Sequence, residues 1–366
     1  MTYEMERCIF SEDKGWLSFR YPFDSFLQFF CSENSFRCEA LFSISQNSTL
    51  AEQNDGMVSR MLFTQHAHSL VIHTPAKLNL FLEILGTRSD GFHELETVMT
   101  SVDIYDTLSF QKTDSSQIEF RCHNAGQPTQ LHTFGTSTSE DVPATTDNLV
   151  VQAAQLLTKY AAVSEGVLIT LQKRIPVAAG LAGGSSDAAA TLAGLNSFWK
   201  LGLSVEVLEN LASQLGSDIN FFLSDSPYAV CRGRGEIVTP EPIATPLHFV
   251  IVRPASGLST PLVFRHYKET ASGKSLKEIL SALAAGRAAT VGSLLYNALQ
   301  SPAEKLNADI AILKQQFSKE QMNGHLMSGS GSAYFGICAT RRQANVIARR
   351  FRSQNNWQVF AASTAI

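Results

Sequence analysis

The segment PVAAGLAGGSSDAAATLAGLN, residues 176–196, decides how the rest of the chain is read. It opens on Pro176 and carries Gly180, Gly183 and Gly184 within five residues, followed by Ser185, Ser186 and a run rich in alanine and leucine. Glycine has no Cβ, so the backbone can turn sharply and a ligand can come close to its N–H groups. The alanine-rich run favours a helix, which Ser185 or Ser186 can cap. Asp187 then falls in the first turn, where the helix dipole accommodates negative charge. A glycine loop feeding a helix N-terminus is an anion site, and phosphate is its usual anion.

The spacing departs from the better-known loops of this kind. A Walker A loop needs a lysine before its Ser/Thr, and none stands here. A dinucleotide fingerprint needs Gly-x-Gly-x-x-Gly, which Gly180, Gly183 and Gly184 do not match. A nucleophile elbow needs Gly-x-Ser-x-Gly, also missing. Taken alone, the segment is either a phosphate loop or a tight strand-to-helix connection that binds nothing.

The 366 residues are 44% hydrophobic and 17% charged, an ordinary composition with ample material for a core. The length suggests two domains. A net charge of −4 argues against a general nucleic-acid surface. No apolar run is long enough for a membrane-spanning helix, so neither a nucleic-acid nor a membrane partner is expected. The six cysteines are scattered without a Cys-x-x-Cys pair, which reads as reduced cytoplasmic thiols rather than a disulfide frame or zinc site. The histidines form no ligand cluster.

Residues 1–68 are rich in phenylalanine and polar residues, with no sustained period and too many acids for a transit peptide. They read as a poorly ordered extension, or as translated upstream sequence with the start at Met57 or Met61; a regulatory or partner-binding arm is the alternative. From Ser69 the pattern is that of a folded protein. Strands are expected at 69–74, 75–85, 97–111, 118–122 and 167–171, with a helix over 148–162. The Thr/Ser/Gly/Pro stretch 124–147 reads as a long surface loop. Helices at 186–199 and 204–214 follow, then a short strand at 228–231, the turn at Gly233-Arg234-Gly235, and a proline-rich connector over 236–246. The remainder predicts strands at 248–253, 333–338 and 357–362, and helices near 275–285, 290–300, 303–318 and 341–353. Without strict β-α alternation, the class is α+β.

Several further motifs stand in one order along the chain: PAKLNL (75–80), DGFHEL (90–95), DNLV (147–150), the glycine loop, LGSD (215–218), STPLVF (259–264) and MSGSGS (327–332). Together they resemble the GHMP kinases, the superfamily of galactokinase, homoserine kinase and mevalonate kinase. PAKLNL followed by DGFH is similar to the branch that phosphorylates a cytidylyl-methylerythritol alcohol in the non-mevalonate isoprenoid pathway. The resemblance covers residues 71–366. It implies a two-lobed fold, with a ribosomal protein S5 domain 2-like N-terminal lobe over 69–245, a ferredoxin-like C-terminal lobe over 246–366, and the site in the cleft between them.

The resemblance also implies roles. Asp218 becomes a general base and Lys77 its charged partner, although on sequence alone Lys77 can equally be an edge residue of a strand and Asp218 a turn residue. ATP phosphates fall to Pro176, Val177, Ala178, Ala179, Gly180, Leu181, Ala182, Gly183, Gly184, Ser185 and Ser186, with Asn148 and Lys173 near the adenine. Asn148 can equally be a helix cap. Mg2+ would meet the hydroxyl of Ser185 or Ser186. The cytidine pocket maps to Phe92, His93 and Phe264, with Asn79, Thr260 and Pro261 around the acceptor; Phe92 replaces a tyrosine common in the family. Phe92 and Phe264 can otherwise be core residues. Residues 328–332 form a second glycine turn, expected beside the first. The competing functions are a GHMP kinase for another small alcohol, of homoserine or mevalonate type, and a GHMP-like sensor without turnover. The protein is expected to be a monomer or homodimer.

Overall fold

In the computed structural model the described residues are 4–11, 15–22, 61–124, 147–224, 226–268, 274–354 and 357–366. They belong to two units, Met1–Asp55 and Gly56–Ile366. In the first, β1 (Glu4–Ser11) and β2 (Gly15–Pro22) form an antiparallel hairpin, with Glu4 opposite Pro22 and Ser11 opposite Gly15. Hairpin apart, the extension up to residue 60 lies outside the described residues, as does 125–146, most of the expected surface loop. The second unit begins before Ser69. Met61, the first described residue of this unit, is buried, and β3 (Leu62–Gln65) pairs with the strand that follows.

The body continues through β4 (Ser69–Thr87), β5 (His93–Lys112), β6 (Ile118–Asn124), α1 (Leu149–Ala161), β7 (Val167–Lys173), α2 (Gly183–Phe198), α3 (Val205–Ala212), α4 (Ile219–Leu223), β8 (Tyr228–Gly233) and β9 (Ile237–Glu241). Then come β10 (His248–Arg253), α5 (Thr260–Arg265), α6 (Leu276–Ala284), α7 (Ala288–Leu294), β11 (Tyr296–Asn297), α8 (Gln300–Leu306) and α9 (Ala308–Phe317). The chain ends with β12 (Gly324–Met327), β13 (Tyr334–Cys338), α10 (Arg341–Gln354) and β14 (Gln358–Ser363).

The two strands expected over 69–85 are one 19-residue strand, β4, paired antiparallel with the 20-residue β5. Pro75 does not end it, because the register shifts between Pro75 and Ala76 and the missing N–H falls at that irregularity. β5 divides its far edge between two partners: residues 107–112 pair with β7, and residues 95–100 with β8. β6 lies parallel to β7, and β9 extends β8 where the sequence suggested only a connector. A second, antiparallel sheet runs in the order β12-β13-β10-β14. Its sequence lies wholly in the second half, yet β11 joins the first sheet beside β4, and Val102 bridges Thr364.

Alternation on β5 feeds two cores. Met99, Leu108 and Phe110 pack with α1 to α4, while Val98, Val102 and Ile104 join residues of β10, β13, α6 and α7. On β10, Phe249 and Ile251 face that second core, and Val250 and Val252 a third one built with α8, α9 and α10. The helices expected over 290–300 and 303–318 are each interrupted, the first by β11 and the second at Asn307, whose side chain accepts from Asp309 N and caps α9. α5 and β12 have no counterpart in the sequence reading.

Close backbone contact sets one narrow tolerance. A Cβ at Gly292 of α7 would stand 2.0 Å from Asn323 O, and one at Gly324 of β12 would stand 2.3 Å from Gly292 O. Gly292→Ala and Gly324→Ala should each destabilise the protein by about 1–3 kcal/mol through overpacking. Because both disturb the same contact, the double variant should lose less than their sum. Urea unfolding of the three variants measures this; midpoints equal to wild type would show that the contact can relax.

Candidate active site

The glycine loop runs from the end of β7 into α2, and its neighbours fix its backbone. Lys77 N on β4 donates to Leu181 O at 3.1 Å, and Ala333 N donates to Ala179 O at 3.0 Å. Ser328 Oγ donates to Gly180 O at 3.0 Å. Gly180 has φ +74°, and a Cβ there would stand 2.2 Å from Ser328 O, so both conformation and space require glycine. Ala178 and Ala182 also adopt left-handed backbones, with φ of 52° and 54°. Each costs roughly 1–2 kcal/mol for a residue with a Cβ. Such strain gathers where a functional loop is held by its surroundings. The second glycine turn, residues 328–331, does lie against the first, and Asn297 Nδ2 steadies it by donating to Met327 O and Gly329 O.

α2 begins at Gly183 on Ala182, with no side-chain cap, so neither Ser185 nor Ser186 caps it. Ser186 is fully buried and its Oγ donates to Pro75 O at 2.6 Å, while Thr74 Oγ1 donates to Ser186 O. Ser186 thus fastens the helix to β4 and faces away from the cavity, as does the buried side chain of Leu181. Ser185 remains half-buried on the cavity wall.

Lys77 and Asn79 share one face of β4 at i and i+2. Lys77 Nζ donates to Asn79 Oδ1 at 2.5 Å and lies 3.4 Å from Asp218 Oδ2. Asn79 Nδ2 in turn donates to Thr97 Oγ1. Asp218 stands at the N-terminus of α4 but makes no cap bond, which leaves its carboxylate to Lys77 and the cavity. The lysine side chain is 4% exposed and the aspartate 29%. A carboxylate open to the cavity with an ammonium behind it is an arrangement that can accept a proton from a bound alcohol.

Lys173, expected near the adenine, lines the cavity and is also held by two carboxylates. Its Nζ donates to Asp106 Oδ2 and, at 2.8 Å, to Asp187 Oδ2, all three groups being buried. Asp106 Oδ1 also accepts from the N–H groups of Arg174 and Ile175. Burial alone would lower the Lys173 pKa, but the Asp187 and Asp106 carboxylates outweigh it and hold the lysine protonated. Burial pushes the Asp187 carboxyl up, against the pull of Lys173. The ammonium therefore ties β5, the end of β7 and α2 together, and because α2 begins at Gly183, Asp187 lies just past its first turn rather than in it. Asn148 accepts from Val150 N at 2.9 Å and caps α1, while still lining the cavity.

At the other end, His93 stacks on Phe264 of α5 with centroids 5.2 Å apart and planes at 18°, and meets the edge of Tyr267. His93 Nδ1 is buried with no partner among the described residues. Phe92 is 52% exposed, and the Arg234 guanidinium carbon lies 5.0 Å from its ring centroid. Thr260 Oγ1 and Ser330 Oγ are 2.7 Å apart, joining α5 to the second glycine turn. One cavity of about 1080 Å³ connects the glycine loop, Lys77, Asp218, Asn79, Thr260, Pro261 and these rings. Arg234, Tyr267 and Asp106 escaped the sequence reading; only Arg234 had a signal, its place between two turn glycines. Among the described residues there is no group of three or more His, Cys, Asp or Glu able to hold a metal, and no helix long and apolar enough to cross a membrane. Cys122, Cys231 and Cys338 are unpaired and buried.

Comparison with known proteins agrees with this geometry. Residues 148–233 match the GHMP kinases N terminal domain and residues 279–356 the GHMP kinases C terminal domain. A 4-diphosphocytidyl-2-C-methyl-D-erythritol kinase of Shouchella clausii is 40% identical over 278 residues, 75% of this chain and 88% of the relative. One from Gloeobacter violaceus is 35% identical over 300 residues, 80% of this chain and 93% of the relative. A crystal structure of 4-(cytidine 5'-diphospho)-2C-methyl-D-erythritol kinase superposes with TM-score 0.66 at 32% identity, covering 80% of this chain and 99% of that one. L. major mevalonate kinase shares the fold at 14% identity, with TM-score 0.60 over 85% of this chain and 98% of its own.

The buried lysine generates a stability prediction. Lys173→Met removes the cation and leaves Asp106 and Asp187 facing each other in the interior. Breaking a buried pair in this way costs about 3–5 kcal/mol. Chemical unfolding should show a loss of that size. A variant as stable as wild type would mean that water or a proton replaces the ammonium without penalty.

Proposed function

This chain belongs to the GHMP kinase family, and on that premise we propose that it transfers the γ-phosphoryl group of ATP to the 2-hydroxyl of 4-diphosphocytidyl-2-C-methyl-D-erythritol, in the non-mevalonate route to isoprenoid precursors. The observation that carries this reading is the Lys77–Asp218 contact of 3.4 Å on the wall of a cavity that also holds the glycine loop and the His93–Phe264 stack. The relatives at 35–40% identity act on that acceptor by name, which supports the same choice of alcohol.

Phosphoryl transfer asks the protein for position and charge more than for covalent chemistry. In the proposed step the acceptor oxygen attacks the γ-phosphorus, its proton passes to the Asp218 carboxylate, and the bond to the β-phosphate oxygen breaks with its electron pair leaving on ADP. Lys77 orients Asp218, and its charge stabilises the transferring group. The loop and the N-terminus of α2 receive the phosphates. Ser185 is the hydroxyl here that fits Mg2+, since Ser186 is committed to Pro75 O. Magnesium, when bound, neutralises charge on the β- and γ-phosphates. Phe92 and Phe264 offer faces for the cytosine, and the unpartnered His93 Nδ1 offers a hydrogen bond to its edge. The same reading makes the protein a cytoplasmic monomer or homodimer acting on a small molecule, without nucleic acid or membrane.

ATP consumption with the cytidylyl acceptor, mevalonate and homoserine in parallel tests the acceptor assignment; turnover of mevalonate or homoserine alone would overturn it. Asp218→Asn keeps the shape and removes the base, so single-turnover rates at saturating ATP and magnesium should fall roughly 100- to 10,000-fold with binding retained. Lys77→Met should also lose turnover, and the double variant should be little worse than the poorer single one if the pair acts as a unit. Near-normal turnover in Asp218→Asn would remove it from the base role.

His93→Ala should weaken the acceptor by about 1–3 kcal/mol while leaving ATP binding close to wild type. Separate KM determinations for the two substrates distinguish this from a raised ATP constant with the acceptor unchanged, which would put His93 on the nucleotide side.

A further inference from the structure

We propose that Arg234 binds the diphosphate of the acceptor, on the span between the base pocket and the hydroxyl that receives phosphate; this rests on the acceptor assigned above. Such an acceptor is long. Its base needs the aromatic end of the cavity, its reacting hydroxyl needs Asp218, and its diphosphate must cross the distance between them. A dianion brought into a cleft needs a cation there.

Arg234 stands on that path. It occupies the turn between β8 and β9. On one side its guanidinium carbon lies 5.0 Å from the Phe92 ring centroid. On the other, the next residue, Gly235, backs Asp218: a Cβ on Gly235 would stand 3.3 Å from Asp218 Oδ1. The turn itself is fastened. Gly233 N donates to Glu94 Oε1 at 3.2 Å, Arg234 N to Glu236 Oε2 at 2.6 Å, and Gly235 N to Arg232 O at 3.0 Å. The guanidinium is less committed. Among the described residues its ion pair is with Glu236, with Nε 3.6 Å from Oε1, longer than a hydrogen bond, and the side chain is 30% exposed. A guanidinium set over an aromatic face keeps its planar fork of N–H donors for a phosphate.

The other cations are occupied or set apart. Lys77 serves Asn79 and Asp218, and Lys173 is locked between Asp106 and Asp187. Arg88 pairs with Glu94 and Asp90 at the tip of the β4–β5 hairpin. Arg265 lines the same cavity from α5, with Nε 3.4 Å from Pro261 O, and is the one competitor for the role.

The test separates the diphosphate from the base. Cytidine 5′-diphosphate and cytidine are titrated calorimetrically into the full-length protein saturated with magnesium and a non-hydrolysable ATP analogue, which closes the nucleotide side. Wild type should bind the diphosphate more tightly than the nucleoside. In Arg234→Ala that preference should shrink about ten- to hundredfold, as expected for loss of a charged hydrogen-bonded contact, while cytidine affinity changes little. Arg234→Lys should keep part of the preference. An unchanged preference in Arg234→Ala, or a loss confined to Arg265→Ala, overturns the proposal and leaves the acceptor reading standing. Wild type that binds neither ligand overturns both.

Discussion

A loop that receives phosphate has to keep its carbonyl oxygens away from it. Here the oxygens of Ala179, Gly180 and Leu181 are all taken by hydrogen bonds from other segments: Ala333 N, Ser328 Oγ and Lys77 N. That clamp shapes the loop and also locates the chemistry. Lys77 holds the loop through its backbone N–H and faces Asp218 through its Nζ. One residue thus sets the offset between the glycine loop and the Asp218 carboxylate, and a shift of β4 would move both together. The strain of Ala178 and Ala182 is sustainable because the clamp leaves the backbone little alternative.

The helix behind the loop is fixed by a second set of contacts. Ser186 Oγ binds Pro75 O, and Asp187 binds Lys173, so the N-terminal part of α2 is tied to β4 and β7 at once. The Lys173 cluster holds two carboxylates and one ammonium, all buried. Buried pairs of this kind add little net stability, because desolvation offsets much of the attraction. What the cluster does supply is position: β5, β7 and α2 converge on one nitrogen, and the N-terminal end of α2 is defined relative to the sheet that carries Lys77.

Legibility in the sequence followed the range of the interactions. The glycine loop and the helix over 148–162 are local patterns, and the structure holds them where the pattern suggested, while the burial of Lys77 depends on neighbouring segments and left its strand pattern open to an edge reading. The order of the motifs carried the family, which the curated relatives bear out. The carboxylate partners of Lys173 were not legible, because Asp106 lies 67 positions away and nothing near residue 173 announces it. Ser186 looked like a cap because Ser before an alanine run usually is one; the left-handed Ala182 starts the helix earlier and frees the hydroxyl to bind Pro75. β9 contains Pro240, which argues against a central strand but is tolerated on a strand paired along one side with β8. β11 has two residues, too few for any period to show.

Specificity must reside away from the clamp. Mevalonate kinase shares this fold at 14% identity, so the scaffold alone does not choose an alcohol. The parts that can choose are carried on β5, α5 and the β8–β9 turn, at the far end of the cavity. There the chain presents a preformed ring stack, His93 on Phe264, and one large exposed ring, Phe92, under a cation. The rings are already stacked, so a base entering the pocket could leave the stack intact and cover an outer face. Phe92 is exposed by 52%, and covering it removes apolar surface from water, which favours a flat ligand over a small branched acid. Discrimination then comes from the length of the acceptor: only a molecule that spans the rings and Asp218 together can use both ends of the cavity in one binding event.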